Sequence, residues 1–469
     1  MDKVQLINEV FSLLKNEILE NDNSDRKVLE YKTPEELKDI FQNNFENGST
    51  EKNLLENIKN YINYSVKTSS KQFHNQLFAG TNIPSLLGEL TSVVLNASNY
   101  TYEVSPIGTL MEKELIGKML NKVGYQSGNG TFLTGGSNGN LVALLCARHR
   151  FLSNIKTEGL YNLPKLTLFV NEKSHYSFEK AANVLGLGID SVIYIKSDEN
   201  GELIPSDLEL KIDESIARGE KPFFVAATSC TTEYGSFDPI IEIHKITSKY
   251  NLWFHIDGAW GGSILLSEEH KHNLKGSELS DSFVWDPHKM MNIPLICSVF
   301  LTKHKGLLED TVSTNRAEYI FHEHELMDYD LGRFSLQCGR RVDVLKLWLA
   351  WSFYGDKGWN ERINFLFETA KQVTEYIKSQ DDFELMVEPK SININFRIIP
   401  KVELDSDKFN LAVREKMRID GSSMCNYTTI KNRKVFRLII NNPDKTFDDY
   451  LKFFANLRST KIQIENTLI

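Results

Sequence analysis

Five cysteines in 469 residues, with no two of them in a CxxC pair, leave little room for a disulfide framework or a thiolate metal centre. Cys146, Cys230, Cys297, Cys338 and Cys425 are odd in number and widely spaced, the pattern of free thiols in a reducing compartment. A long basic run is missing as well, and the formal net charge is −9, so nucleic acid is not expected as a partner. No apolar run approaches the roughly 18 residues that a membrane span needs. Residues 1–20, MDKVQLINEVFSLLKNEILE, lack the basic, apolar, small-residue order of a secretory signal. The expectation is a cytoplasmic protein with no membrane partner. Internal repeats and low-complexity linkers are also missing. What is present is ordinary for a globular chain, with 41% hydrophobic and 25% charged residues over a length that suggests two or three domains.

Apolar positions at helical spacing run through residues 5–20, and residues 34–65 read as helical with Pro34-Glu35-Glu36 as a first turn. Their stripes need cover, from a partner subunit or from their own chain. Beyond residue 130 short strand-like runs follow one another: LTLFV 166–170, SVIYI 191–195, FFVAAT 223–228, LWFHID 252–257, SFVWD 282–286 and CSVFLT 297–302. Several are continuously apolar, as strands buried on both faces are, and helix-like segments separate most of them. The pattern predicts an α/β domain with a largely parallel sheet, whose ligands sit at the carboxyl ends of strands. DVLKLWLAWSFYG reads as a long amphipathic helix. SININFRII and VFRLIINN, with helices at 405–417 and 446–458, predict a smaller α+β domain. The expected division is an N-terminal helical segment 1–65, a large domain 66–345 and a small domain 346–469.

Four short stretches carry chemistry. FLTGGSNGNLVALLCAR, 132–148, is a small-residue turn entering a helix. Gly135, Gly136 and Ser137 there suit either a plain turn or a site where helix N–H groups meet a phosphate. No GK[ST] follows, so it is not a Walker loop. WFHIDGAWGGS, 253–263, ends an apolar strand on Asp257, as a helix cap or as the partner of a protonated ring nitrogen, with Gly258 and Ala259 small enough to leave room for a flat ring. His175 in SHYSFEKAA is an ordinary loop histidine or an imidazole that stacks on an aromatic cofactor. VWDPHKMM, 284–291, puts His288 and Lys289 at the mouth of an apolar run, where the amine is a surface cation or a pocket nucleophile. A phosphate cradle, a strand-end acid and a lysine, in that order, are the set that pyridoxal 5′-phosphate requires.

With HNQLFAG 74–80, YTYEVSP 100–106, SLQCGRRVDVLKLWLAW 335–351 and VFRLIINNP 435–443 added, the chain resembles the group II pyridoxal-phosphate-dependent amino-acid decarboxylases over roughly residues 66–460. Within them it is most similar to the glutamate and cysteine-sulfinate decarboxylase branch. The resemblance implies fold type I, the aspartate-aminotransferase-like architecture, with a mainly parallel seven-stranded sheet in the large domain and a small α+β C-terminal domain. It also implies pyridoxal 5′-phosphate as cofactor, no metal, and a homodimer whose N-terminal helices wrap the partner. By position, Lys289 would bind the cofactor's aldehyde and Asp257 would hold the ring-nitrogen proton. His175 would stack on the ring, with Thr232 and Ala259 beside it. Gly135, Gly136 and Ser137 would hold the phosphate with His288 near. Tyr319 of AEYIF would protonate the substrate carbon after CO2 leaves. Arg437, Gln76 and Phe78 would meet the substrate.

Three departures bear on this. Cys230 stands where the branch usually has glycine, Asp286 where asparagine is usual, and DLGRF 330–334 where DTGDK is usual. A carboxylate near a phosphate dianion is unfavourable unless it is paired or turned away. FHEHE, 321–325, offers His322 and His324, but no third metal ligand follows at a recognised spacing. The expected reaction is decarboxylation of an acidic L-amino acid: cysteine sulfinate, aspartate or glutamate. Phe78 would shorten the pocket and shift preference by about 1–3 kcal/mol. The alternatives are a decarboxylase for 2,4-diaminobutyrate or an aromatic amino acid, against which Arg437 speaks for the cation, and a silent relative that only binds, against which Lys289, Asp257 and Tyr319 speak.

Overall fold

The computed structural model describes residues 2–41, 45–314, 317, 319–322, 325–401 and 404–468. The chain forms two compact units, one of Met1–Gly80, Glu368–Glu388 and Asn393–Ile469, the other of Thr81–Phe367 and Pro389–Ile392.

The larger unit is built on a seven-stranded sheet. Its spatial order is Asn129–Leu133, Ser298–Thr302, Ser282–Trp285, Trp253–Gly258, Lys221–Thr228, Leu166–Asn171 and Val192–Ile195. Six strands share one direction and Ser298–Thr302 runs against them. The six apolar runs expected from the sequence all become strands, and all but Val192–Ile195 are buried along most or all of their length. Helices Gly136–Phe151 and Ser177–Val184 contribute Val142, Leu144, Cys146, Phe178 and Ala182 to one core with Leu168, Val170, Phe224 and Val284 of the sheet. Burial of this kind is worth about 1.5–3 kcal/mol for each large side chain. Arg340, in the GRR stretch, forks both guanidinium nitrogens onto the buried Glu112 carboxylate at 2.8 Å each. Among the described residues no helix is long and apolar enough to cross a membrane.

The shared direction of the strands decides where chemistry can gather. Gly135 follows the end of Asn129–Leu133, His175 the end of Leu166–Asn171, and Cys230 the end of Lys221–Thr228. Asp257 closes the strand Trp253–Gly258, and Lys289 lies just past Ser282–Trp285. All five therefore fall on the carboxyl edge of one sheet, where such folds bind ligands.

The smaller unit holds a five-stranded sheet in the order Phe73–His74, Met424–Ile430, Arg433–Ile439, Asn393–Ile398 and Phe383–Leu385. Only Phe73–His74 pairs in parallel. The helices Ser406–Asp420 and Phe447–Leu468 pack together in this unit.

The helical reading of 34–65 needs correction. Two helices form, Pro34–Ile40 and Glu51–Tyr64. Thr33 and Glu36 close a capping box at the first, and Thr50 caps the second by accepting from the Asn53 N–H, so the stretch carries two start signals. The long helix Val344–Lys378 is also interrupted, at Gly355, whose φ of 63° and ψ of −179° are not helical.

Candidate active site

A cavity of about 250 Å3 opens at the carboxyl edge of the large sheet. Gly135, Gly136, Ser137, His175, Thr232, Asp257, Ala259, His288 and Lys289 all line it, together with Asn140, Thr228, Cys230 and Asp286. The structure thus brings together nine residues that the sequence reading singled out from five separate segments.

One wall is the start of helix Gly136–Phe151. Its N-cap is Gly135, at φ 120°, a backbone that favours glycine and leaves the helix start without a side-chain cap. Gly136 is required by space. A Cβ there would lie 2.7 Å from Asp286 Oδ2 and 2.9 Å from Ala259 Cβ. Uncapped N–H groups at a helix start suit a phosphate.

Asp257 is buried, and both its carboxylate oxygens accept hydrogen bonds. Asn140 Nδ2 donates to Oδ2 at 2.8 Å and the Ala259 N–H to Oδ1 at 3.0 Å. His175 accepts the Ser177 N–H at Nδ1, 3.3 Å away. Burial holds its pKa below the ordinary value, opposed by Asp257 and aided by Lys289, which favours the neutral ring.

Lys289 Nζ lies 3.2 Å from Asp286 Oδ2 with its side chain 20% exposed. Asp286 is fully enclosed; its Oδ1 also accepts from Ser298 Oγ, and its Oδ2 stands 3.7 Å from His288 Nε2. The extra carboxylate noted in the sequence is therefore paired, which is what its burial demands. His288 donates from Nδ1 to the Cys297 carbonyl at 2.8 Å, and burial lowers its pKa.

Cys230 occupies a left-handed backbone at φ 70°. A side chain there costs roughly 1–2 kcal/mol, which glycine avoids. The cysteine is anchored by its thiol, which donates to Ser391 Oγ at 3.2 Å, and burial pushes the thiol up to about 12.

A cofactor of the pyridoxal phosphate kind fits these residues. The amine, the acid and the uncapped helix start face one space, and Thr228 Oγ1, which lines it, is buried with no protein partner.

Other expected residues lie elsewhere. Tyr319 is 77% exposed and lines a different cavity, with Phe321 and Arg333 among its walls. Gln76, Phe78 and Arg437 belong to the smaller unit. There Arg437 is buried on strand Arg433–Ile439 and donates from Nη2 to the Asn75 carbonyl at 3.3 Å, while Asn441 Nδ2 donates to the Gln76 carbonyl at 3.1 Å. Arg437 and the Asn75-Gln76 segment are thus neighbours, and Phe78 packs its ring 6.5 Å from that of Phe73. Of the FHEHE histidines, His324 lies outside the described residues. Among the described residues no group of three or more His, Cys, Asp or Glu is placed to hold a metal.

The sequence reading missed Asn140 and His255. His255 is wholly enclosed, 2.8 Å from Ser282 Oγ and 3.0 Å from Asn140 Oδ1. Only for His255 was part of the signal available. Residues 255 and 257 alternate on one strand and so share a face.

A sheet edge with a lysine, a strand-end acid and a glycine-rich helix start defines a pyridoxal-phosphate enzyme of fold type I. The model of the pyridoxal-dependent decarboxylase conserved domain matches residues 34–399, and the chain belongs to that family. The human cysteine sulfinic acid decarboxylase is 39% identical over 96% of this chain and 94% of its own length. An acidic amino acid decarboxylase of Xenopus tropicalis is 37% identical over 95% and 90%. The crystal structure of mouse CSAD in apo form superposes with a TM-score of 0.94 at 37% identity, covering 97% of this chain and 98% of that one. The cofactor is pyridoxal 5′-phosphate and the chemistry is that of a carboxy-lyase.

Proposed function

We propose that the protein decarboxylates an acidic L-amino acid, cysteine sulfinate, aspartate or glutamate, to the amine and CO2, as a cytoplasmic homodimer. The observation that carries the reading is the single cavity that gathers Lys289, Asp257, His175 and the Gly135-Gly136-Ser137 turn. The names of the relatives support the acidic substrate.

When bound, the cofactor supplies the electron sink that stabilises negative charge at the substrate's Cα. The protein's residues do the rest. Gly135, Gly136 and Ser137 direct N–H groups at the phosphate, with His288 close by. Asp257 holds a proton on the ring nitrogen through its charge. His175, Thr232 and Ala259 line the cavity, where His175 would cover the ring and the other two would bound it. Lys289, whose amine faces the cavity, would hold the cofactor's aldehyde. Asp286, 3.2 Å from Lys289, offers a counter-charge while that amine is free and cationic. Loss of CO2 breaks the bond from Cα to the carboxylate carbon and leaves the electron pair on Cα, where the Tyr319 hydroxyl delivers its proton.

Arg437 is the residue that would read the second acid group. A guanidinium forks onto a carboxylate or sulfinate with two parallel hydrogen bonds. CO2 release is to be assayed with cysteine sulfinate, aspartate, glutamate, 2,4-diaminobutyrate and an aromatic amino acid. Turnover of the acidic set alone is expected. Arg437→Gln should raise KM for it by about 10- to 100-fold, the worth of a hydrogen bond to a charged group. Preferred turnover of diaminobutyrate or the aromatic acid would overturn the substrate class.

Apolar surface supports the dimer. In the larger unit the helix Ile83–Leu95 leaves Ile83, Leu87, Val93, Val94 and Leu95 exposed, and Pro106–Val123 leaves Ile107 and Leu110 exposed. In the smaller unit the helix Lys3–Leu19 buries none of its residues and exposes Val4, Ile7, Phe11 and Leu19. Apolar patches of this extent call for cover. Sedimentation at micromolar concentration should give twice the chain mass, and a fully active monomer would refute the assembly.

A further inference from the structure

Behind Asp257 a file of hydrogen bonds runs into the sheet. Trp253 Nε1 donates to Ser282 Oγ at 2.9 Å. Ser282 Oγ stands 2.8 Å from His255 Nδ1, and His255 Nε2 stands 3.0 Å from Asn140 Oδ1. Asn140 Nδ2 then donates twice, to Asp257 Oδ2 at 2.8 Å and to Ser177 Oγ at 2.9 Å. Asn140, His255 and Ser282 are all buried.

The file satisfies itself in one direction only. A carboxylate oxygen accepts, so the Asn140 NH2 group must face Asp257; turned over, the amide would set its carbonyl against the carboxylate. The carbonyl then faces His255, which must donate from Nε2. Its Nδ1 is left to accept, so the Ser282 hydroxyl donates to it and receives the Trp253 N–H. A neutral imidazole has one donor and one acceptor, which is what this position uses. Burial lowers the His255 pKa to about 4, in keeping with that neutral form.

We propose that Asn140 is a positioning residue for the ring-nitrogen acid Asp257, held in its one productive orientation by His255 and Ser282. The proposal rests on the reading of Asp257 as partner of the cofactor's ring nitrogen. Both ends of the Asn140 amide are engaged, the NH2 by two acceptors and the carbonyl by His255, so it cannot turn without breaking all three bonds, and a buried amide with broken bonds is costly. The second Asn140 donor bond extends the same control. Ser177, which it holds, donates its own N–H to His175 Nδ1 at 3.3 Å. One amide thereby sets both the acid at the ring nitrogen and the segment that carries the stacking imidazole.

The test compares two cofactors on the apoprotein. Pyridoxal 5′-phosphate and its 1-deaza analogue, with CH in place of the ring nitrogen, are titrated into wild type, Asn140→Ala, Ser282→Ala and Asp257→Ala by equilibrium dialysis. Asn140→Ala is expected to weaken pyridoxal phosphate by about tenfold or more, and the deaza analogue by less than about threefold. Ser282→Ala removes one hydroxyl from the sheet, is the milder variant should Asn140→Ala not fold, and is expected to follow the same split at about threefold. An equal loss for both cofactors in these variants, or no loss for either, overturns the proposal and leaves the assignment of Asp257 standing. If Asp257→Ala itself treats the two cofactors alike, the ring-nitrogen reading falls and the proposal falls with it.

Discussion

Asp257→Ala should lower kcat by about 10^2- to 10^4-fold and weaken pyridoxal phosphate in the same variant. The carboxylate is 5% exposed, and both its oxygens are committed, to Asn140 and to the Ala259 N–H. A positive ring nitrogen placed against it would form a buried ion pair. Breaking such a pair by removing one partner costs about 3–5 kcal/mol, and 1.36 kcal/mol is one decade in rate. The charge matters most when electron density moves from the breaking Cα bond toward the ring, so the loss belongs in kcat rather than in KM alone. Asp257→Asn keeps the shape and removes the charge. It should share the loss in kcat while holding the cofactor better than Asp257→Ala. Steady-state rates at saturating cofactor, with dialysis for the affinities, decide the matter. A variant within about threefold of wild type in kcat would mean that no ring-nitrogen charge is being held there.

The parts of this site differed in how far the sequence disclosed them, for reasons of local physics. The strands that carry Asp257 and Lys289 were legible because burial on both faces makes them continuously apolar, from Trp253 to Ile256 broken only by His255, and from Phe283 to Trp285 without a break. The strand Asn129–Leu133 was not, because its first half is Asn129-Gly130-Thr131 and only its end is apolar. Met424–Ile430 hides for a similar reason, since Asn426, Thr428 and Thr429 interrupt it and it is recognisable only beside Arg433–Ile439. Phe73–His74 is too short to have any period.

His255 and Asn140 show the same limit at the level of chemistry. They are 115 positions apart, and no local pattern links an amide in the first turns of a helix to a histidine in mid-strand. Only the sheet brings them into contact. Within the strand, His255 is a polar residue in an apolar run. Its meaning lay in Ser282 on the neighbouring strand, in register with it. Cys230 and Asp286 were visible as departures, but what each does needed coordinates. The first holds a left-handed turn, and the second is a paired, enclosed carboxylate against Lys289.

Tyr319→Phe should uncouple CO2 release from amine formation. The residue lines a cavity other than the one that holds Lys289 and is 77% exposed. Once CO2 has left, the electron pair on Cα needs a proton from a group held on the correct face. A positioned general acid contributes typically 10^2- to 10^4-fold, so amine formation should fall by about 10^2-fold or more. The phenylalanine keeps the ring and its packing and removes only the proton donor, so cofactor and substrate should still bind and the carboxylate should still leave. Without that donor the electron pair would be protonated elsewhere, and aldehyde and pyridoxamine phosphate are expected among the products. The amine produced would fall short of the CO2 evolved, with the aldehyde making up the difference and activity decaying until fresh cofactor is added. Measuring CO2, amine and aldehyde in one reaction checks the balance. Amine equal to CO2 at the wild-type rate would pass the donor role to another group, and His175, which lines the cavity beside Lys289, is the next to test.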